Sequence, residues 1–161
     1  MVTLLSNKVN NICPCKSGKT YLECCKPIIL DGKKVRSAEE LMRSRYSAYV
    51  TGEIEYLLDS TCEIVDPINI KLETETFSSS AFFQHLEILD VQEYIVEFKA
   101  YFIVEKKQEV LHEKSNFLHK NDGSWCYKDG YILPSEFNPK RNEKCICGSG
   151  KKYKQCCAKL L

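Results

Sequence analysis

The sequence predicts an α+β domain, its helices on one face of an antiparallel sheet, with a small cysteine-built knuckle at each end. Three observations predict it. The 161-residue chain holds ten cysteines, and eight of them form two copies of one pattern near opposite ends. Between the copies, helical periodicity comes first and strand-like runs follow, which is the order of an α+β domain. Charge is segregated as well: residues 1–34 carry a net +4, residues 138–161 a net +6, and the middle about −9. The chain therefore divides into an N-terminal knuckle (1–34), a central domain (35–137) and a C-terminal knuckle (138–161).

The first knuckle runs Cys13-Pro-Cys15-Lys-Ser-Gly-Lys-Thr-Tyr-Leu-Glu-Cys24-Cys25, the second Cys145-Ile-Cys147-Gly-Ser-Gly-Lys-Lys-Tyr-Lys-Gln-Cys156-Cys157. Both read C-x-C-x8-C-C and share eight of thirteen positions. A tetrahedral zinc site needs four ligands at about 2.3 Å from the ion. The C-x-C pair supplies two thiolates from a tight turn. Ser17-Gly18 and Ser149-Gly150 let the chain double back and deliver the adjacent pair. Two structural zinc ions are expected, on Cys13, Cys15, Cys24 and Cys25 and on Cys145, Cys147, Cys156 and Cys157. The alternatives are disulfides and an iron–sulfur cluster. A disulfide scaffold would spread its staples through the fold, whereas Cys62 and Cys126 are the sole cysteines between the copies. An iron–sulfur cluster would stand exposed among lysines. Met1–Lys8 lacks the basic and apolar stretches of a secretory leader, which points to the cytoplasm. Cys62 and Cys126 are expected as buried free thiols.

In the central domain, Ser37 with Glu40 three residues on forms a capping box, and Leu41, Met42, Arg45, Tyr46, Ala48 and Tyr49 recur at helical spacing. Gly52 suits the left-handed position that ends a helix. Glu53 to Ser60 reads as a second short helix, and Asp66-Pro67 breaks or restarts the chain. Strand-like runs follow at Phe82–Tyr94, Tyr94–Val104 and Glu109–His119. Asn121-Asp122-Gly123-Ser124 is a hairpin turn, and Trp125–Tyr131 is the returning strand.

Both cysteine repeats resemble the SEC-C motif, and the C-terminal one is similar to the zinc-binding tail of the SecA translocation ATPase. That resemblance implies the eight ligands already named. It also implies contact with an acidic chaperone surface of the SecB kind or with the ribosome. SecA-type tails end Cys-His where both copies here end Cys-Cys, which keeps four ligands but makes the set all-thiolate. The helix-then-sheet order resembles the nuclear-transport-factor-two-like fold, a cone of helices closed by a curved sheet. Leu41-Met-Arg-Ser-Arg-Tyr-Ser-Ala-Tyr49, His112-Glu-Lys-Ser-Asn-Phe117 and Gly123-Ser-Trp-Cys-Tyr-Lys-Asp-Gly130, set between the knuckles, extend the likeness over the whole chain to the bacterial YchJ family.

Two classes of function follow. A binding module would present Lys16, Lys19, Lys26, Lys151, Lys152 and Lys154 to an anionic partner, a protein or ribosomal RNA. Such lysines also offset the negative charge of a four-thiolate zinc centre. The two knuckles are expected to converge, because the termini of compact domains are often close. The second class is a small-molecule binder or enzyme using a cone pocket lined by Arg45, Tyr46, Glu113, Trp125 and Tyr127. His112 and Glu113 are adjacent on one strand and so point to opposite faces, which weakens an acid–base role. A buried Arg45–Glu113 pair and core aromatics are the simpler reading. The knuckles are expected to be appendages whose loss leaves the central core folded.

Overall fold

Ser37 opens the main helix. In the computed structural model, which describes residues 12–161, its hydroxyl accepts from Glu40 N–H at 3.1 Å at the head of Ala38–Thr51. Glu40 in turn accepts from the backbone N–H of Arg36 at 2.7 Å, one residue earlier than a capping box requires. Gly52 ends the helix at φ 79°, a left-handed conformation that glycine takes without a Cβ clash. The reading of Met1–Lys8 lies outside the described residues.

Among the described residues four helices precede the sheet: α1 (Lys26–Ile29), α2 (Ala38–Thr51), α3 (Ile54–Asp59) and α4 (Pro67–Ser80). The last begins where a break or restart is expected. Asp66 caps it, its carboxylate accepting from Asn69 N–H at 3.2 Å, and Pro67 occupies the first turn, where a missing N–H costs nothing. None of its residues is fully buried, so it has no apolar stripe to read. Phe77 reaches the aromatic cluster of Tyr49, Phe83 and Phe102, and Ser78 Oγ donates to Tyr49 O at 2.7 Å.

The sheet is an antiparallel meander in the order β1 (Phe82–Val91), β2 (Ile95–Val104), β3 (Lys107–His119) and β4 (Trp125–Leu133). Irregularities at Phe83/His85, Ile88/Asp90 and Asn116/Phe117 interrupt the register. Such bulges raise local twist, and the sheet curls around α2. Alternation along β2 sorts the two faces. Val96, Phe98 and Ala100 pack with Leu41, Met42, Tyr46, Leu86 and Phe117 in the main core. Tyr101 and Ile103 look the other way, toward Phe137 and the C-terminal knuckle.

Two central expectations need correction. Cys62 and Cys126 are joined in a disulfide and are not free thiols. The segment after α3 runs beside β4: Tyr127 N–H donates to Ser60 O and Cys62 N–H to Tyr127 O, both at 2.8 Å, so the two Cα atoms stand 5.0 Å apart. Arg45 does not form an ion pair with Glu113. One guanidinium nitrogen donates to Leu57 O (2.8 Å), Ser60 Oγ (2.7 Å) and Thr61 Oγ1 (3.2 Å), tying α2 to the end of α3. The guanidinium lies 4.9 Å from the Tyr127 ring centre. Glu113 accepts from Ser115 Oγ and Tyr127 OH. Burial lowers the Arg45 pKa, and the neighbouring Tyr side chains and Glu113 oppose that shift.

The core does not stop at residue 34. Cys13, Cys15 and Cys25 are at most 1% exposed and belong to the same cluster as Leu41, Met42, Tyr46 and Phe98. The N-terminal knuckle is built into the central domain.

Candidate metal centres

The two repeats share the hydrogen bonds that turn their loops. Cys13 N–H donates to Lys19 O at 2.7 Å, and Cys145 N–H to Lys151 O at 2.8 Å. Lys16 N–H reaches Cys13 O at 3.1 Å, and Gly148 N–H reaches Cys145 O at 3.2 Å. Single antiparallel bridges, Ile12–Thr20 and Lys144–Lys152, close the two loops. Gly18 and Gly150 turn the chain at φ 82° and 76°. Cys25 and Cys156 each sit one residue before a short helical turn, beginning at Lys26 and Cys157, where the backbone bends enough for neighbouring thiols to converge.

Sulfur spacing identifies what each set can hold. In each, the four Sγ atoms lie within 4.8 Å of one another. Cys15–Cys24 and Cys24–Cys25 are separated by 3.7 and 3.8 Å, Cys147–Cys156 and Cys156–Cys157 by 3.5 and 4.0 Å. Four sulfurs at about 2.3 Å from a central ion would be about 3.8 Å apart, the edge of that tetrahedron. A disulfide would bring a pair to about 2.0 Å. All eight are free thiols and fit a four-coordinate metal. A tetrahedral set of four thiolates suits zinc or iron.

Hydrogen bonds favour thiolates here. Ser17 Oγ and Ser149 Oγ each stand 3.2 Å from the sulfur of Cys24 and Cys156. The second cysteine of each C-x-C pair loses its proton most readily. Bonds from Cys13 and Cys25 hold Cys15 well below the usual thiol range, and the same Cys13–Cys15 bond pushes Cys13 up to about 11. Burial pushes Cys147 up, but the hydroxyl and N–H of Ser149 and two neighbouring thiols bring it to about 7. The last cysteine of each set is raised, Cys25 mainly by its bonds to Cys13 and Cys15 and Cys157 mainly by burial.

The sets differ in how they join the body. The N-terminal one is inside the main core, and the Arg43 guanidinium donates to Cys15 O at 2.8 Å. The C-terminal one forms a small cluster of its own, in which Cys145, Tyr153 and Cys157 meet Ile103 of β2. The knuckles also touch each other. Lys16 Nζ donates to Cys147 O at 3.2 Å, across 131 residues of sequence. Lys16, Lys19, Lys151, Lys152 and Lys154 are exposed, and Lys26 is half-buried beside Asp31.

Of the candidate pocket residues, Arg45, Tyr127 and Glu113 stay together, the guanidinium over the Tyr127 ring and the Tyr127 hydroxyl on Glu113. Arg45 and Tyr46 are buried in the core, where Tyr46 meets Phe83 edge to face. Glu113 and Tyr127 bond to each other. Trp125, stacked on His119, lines a cleft of about 360 Å³ at the rim with Val35, Leu41, Tyr56, Asp59 and Asp122. His112 pairs with Glu97 at 2.8 Å, while Glu113 turns to Ser115 and Tyr127. His85 lies against Tyr101. A second cleft, about 340 Å³, runs between the N-terminal knuckle and α2. Leu41, Met42, Phe98 and Phe117 fill the cone itself.

The sheet curled around α2 matches a family model described as YchJ, middle NTF2-like domain, over residues 37–130, more than half of the chain. The chain belongs to the YchJ family. A SEC-C motif model matches residues 141–159; the N-terminal copy is tied to it by the repeated bonds and sulfur spacing. Similar chains include the UPF0225 protein GSU1048 of Geobacter sulfurreducens, 38% identical and covering 92% of this chain and 99% of that one. The UPF0225 protein plu2503 of Photorhabdus laumondii is 37% identical, with 92% and 99% covered. Among solved structures, a SEC-C motif containing protein from Psychrobacter arcticus superposes with a TM-score of 0.60 at 29% identity, covering 92% of this chain and 96% of that chain. The SEC-C motif containing protein RPA3114 from Rhodopseudomonas palustris does so at 0.63 and 31%, covering 76% and 98%. No helix among the described residues is long and apolar enough to cross a membrane.

Proposed function

We propose that this YchJ-family chain is a zinc-binding interaction protein. Two structural zinc ions hold the knuckles, and the knuckles together dock on an anionic surface: an acidic chaperone of the SecB kind, or ribosomal RNA. The observation that carries the reading is the Lys16–Cys147 contact. It brings into contact two knuckles that stand far apart in sequence, which supports reading Lys16, Lys19, Lys26, Lys151, Lys152 and Lys154 as one basic face. Filling of the cone by apolar side chains favours this over a ligand-binding cone. The experiment is co-sedimentation with purified ribosomes and, separately, titration of a purified SecB-type chaperone, each across a salt series. Binding should weaken steeply with salt, because each neutralised phosphate or carboxylate contact releases counterions. Changing Lys151, Lys152 and Lys154 to Glu should abolish it while zinc content stays at two. A triple variant that binds like wild type would mean that the lysines only balance thiolate charge.

A further inference from the structure

Each sulfur set is approached by one buried polar side chain from the central domain, outside either cysteine repeat. On the N-terminal side it is Ser47, in the middle of α2 and fully buried. Its Oγ stands 3.4 Å from Cys13 Sγ. Serine is a poorer helix residue than alanine, and a buried hydroxyl needs a partner.

On the C-terminal side it is Gln84, 2% exposed, at the irregularity between Phe83 and His85 that re-aims side chains along β1. Its orientation is fixed by a chain of bonds. Gln108 Nε2 donates to Gln84 Oε1 at 2.7 Å, and Gln108 Oε1 accepts from the hydroxyl of Tyr153, the tyrosine of the repeat, at 3.4 Å. With Oε1 occupied, Nε2 points away from Gln108. It is the one buried side-chain polar atom among the described residues that meets no acceptor with full hydrogen-bond geometry. Tyr153, at the end of that chain of bonds, packs with Cys145, Cys157 and Ile103, which places the amide on the side of the C-terminal sulfur set. An orphaned N–H beside a sulfur set is what an anionic metal centre would satisfy.

We propose that Ser47 and Gln84 are positioning residues of the two metal centres, donating to Cys13 and to the C-terminal sulfur set respectively. The inference rests on the metal-binding reading above. Four thiolates around a divalent ion leave a net charge of about −2, and donors to sulfur stabilise it and fix the ligand rotamers. Through these two side chains, helix α2 and strand β1 set the affinity of sites they do not ligate.

The test uses the full chain loaded with zinc, and reads the affinity of each site by competition with a chromogenic chelator. Ser47→Ala should weaken the N-terminal site by about 10–100-fold and spare the other; Gln84→Leu should do the reverse. At saturating zinc, both should still bind two ions. In cobalt-loaded protein the sulfur-to-cobalt charge-transfer band should shift in each variant, which a merely structural role would not cause, and Ser47→Thr should restore it. If Gln84→Leu is not recovered folded, Gln108→Leu takes its place. It frees the amide without touching sulfur and should weaken the C-terminal site alone. Unchanged affinities and bands in both variants would overturn the proposal. A wild-type chain that takes up no zinc would overturn the metal reading itself, a result distinguishable from the first.

Discussion

Removing one ligand from each knuckle should have unequal effects. Cys13 is fully buried and shares a core cluster with Leu41, Met42, Tyr46 and Phe98. Cys157 shares its small cluster with Cys145, Tyr153 and Ile103. A metal present at a thousandfold excess over its Kd stabilises the native state by about 4 kcal/mol. For a chain of this size, 1 kcal/mol moves the melting temperature by about 2–4 °C. Cys13→Ser should therefore lower the main transition by roughly 8–16 °C, because the freed sulfurs and the loosened loop belong to the core that melts. Cys157→Ser should melt the C-terminal knuckle locally and leave that transition within about 3 °C of wild type. The assay is calorimetry of the zinc-loaded chain, with metal analysis showing about one ion lost in each variant. A Cys13→Ser protein that keeps the wild-type transition would refute the reasoning, and would make the knuckle an appendage, as its sequence alone suggests.

Other outcomes follow from individual contacts. The Cys62–Cys126 disulfide closes a loop across 64 residues, so changing both to Ala should cost about 4 kcal/mol, read from the denaturant midpoint against the oxidised wild type. Reduced wild type should match that variant; no difference would mean the crosslink leaves the unfolded chain unconstrained. Phe117→Ala, at a residue 1% exposed and edge-on to Tyr127, should cost about 3–5 kcal/mol in the same assay. Gly52→Ala forces a side chain into a left-handed backbone and should cost about 1–2 kcal/mol with zinc content unchanged.

Local signals in the sequence proved legible. Ser37 and Gly52 bracket α2 because caps and left-handed glycines act within a few residues. The four strands announce themselves because β-branched and aromatic runs alternate with turn residues. The two cysteine groups were legible because a set compressed into thirteen residues is itself local. Features set by distant segments were not. The Cys62–Cys126 bond depends on the residues after α3 lying along β4, and no spacing encodes that. Arg45 has a carboxylate in its surroundings but bonds instead to Leu57, Ser60 and Thr61, because the end of α3 is nearer. Helix α4 had a readable start, Asp66 then Pro67, but its Ser- and Thr-rich body lacks a buried stripe to confirm it. Ser47 and Gln84 carried no signal, since a mid-helix serine and a strand glutamine are ordinary until the sulfurs arrive.

Of the five positions at which the two thirteen-residue repeats differ, one sits at a left-handed backbone. Where the C-terminal copy has Gly148 at φ 85°, the N-terminal copy has Lys16 at φ 61°. A lysine there carries a steric penalty that glycine escapes, and its side chain spans to the carbonyl of Cys147. The duplicated segments have thus become lock and key. One supplies the arm and the other the acceptor, and an exchange of the two thirteen-residue stretches would relax the backbone at one end, strain it at the other, and turn the arm away from its target. The knuckles are not interchangeable modules: each is shaped to its own end of the chain.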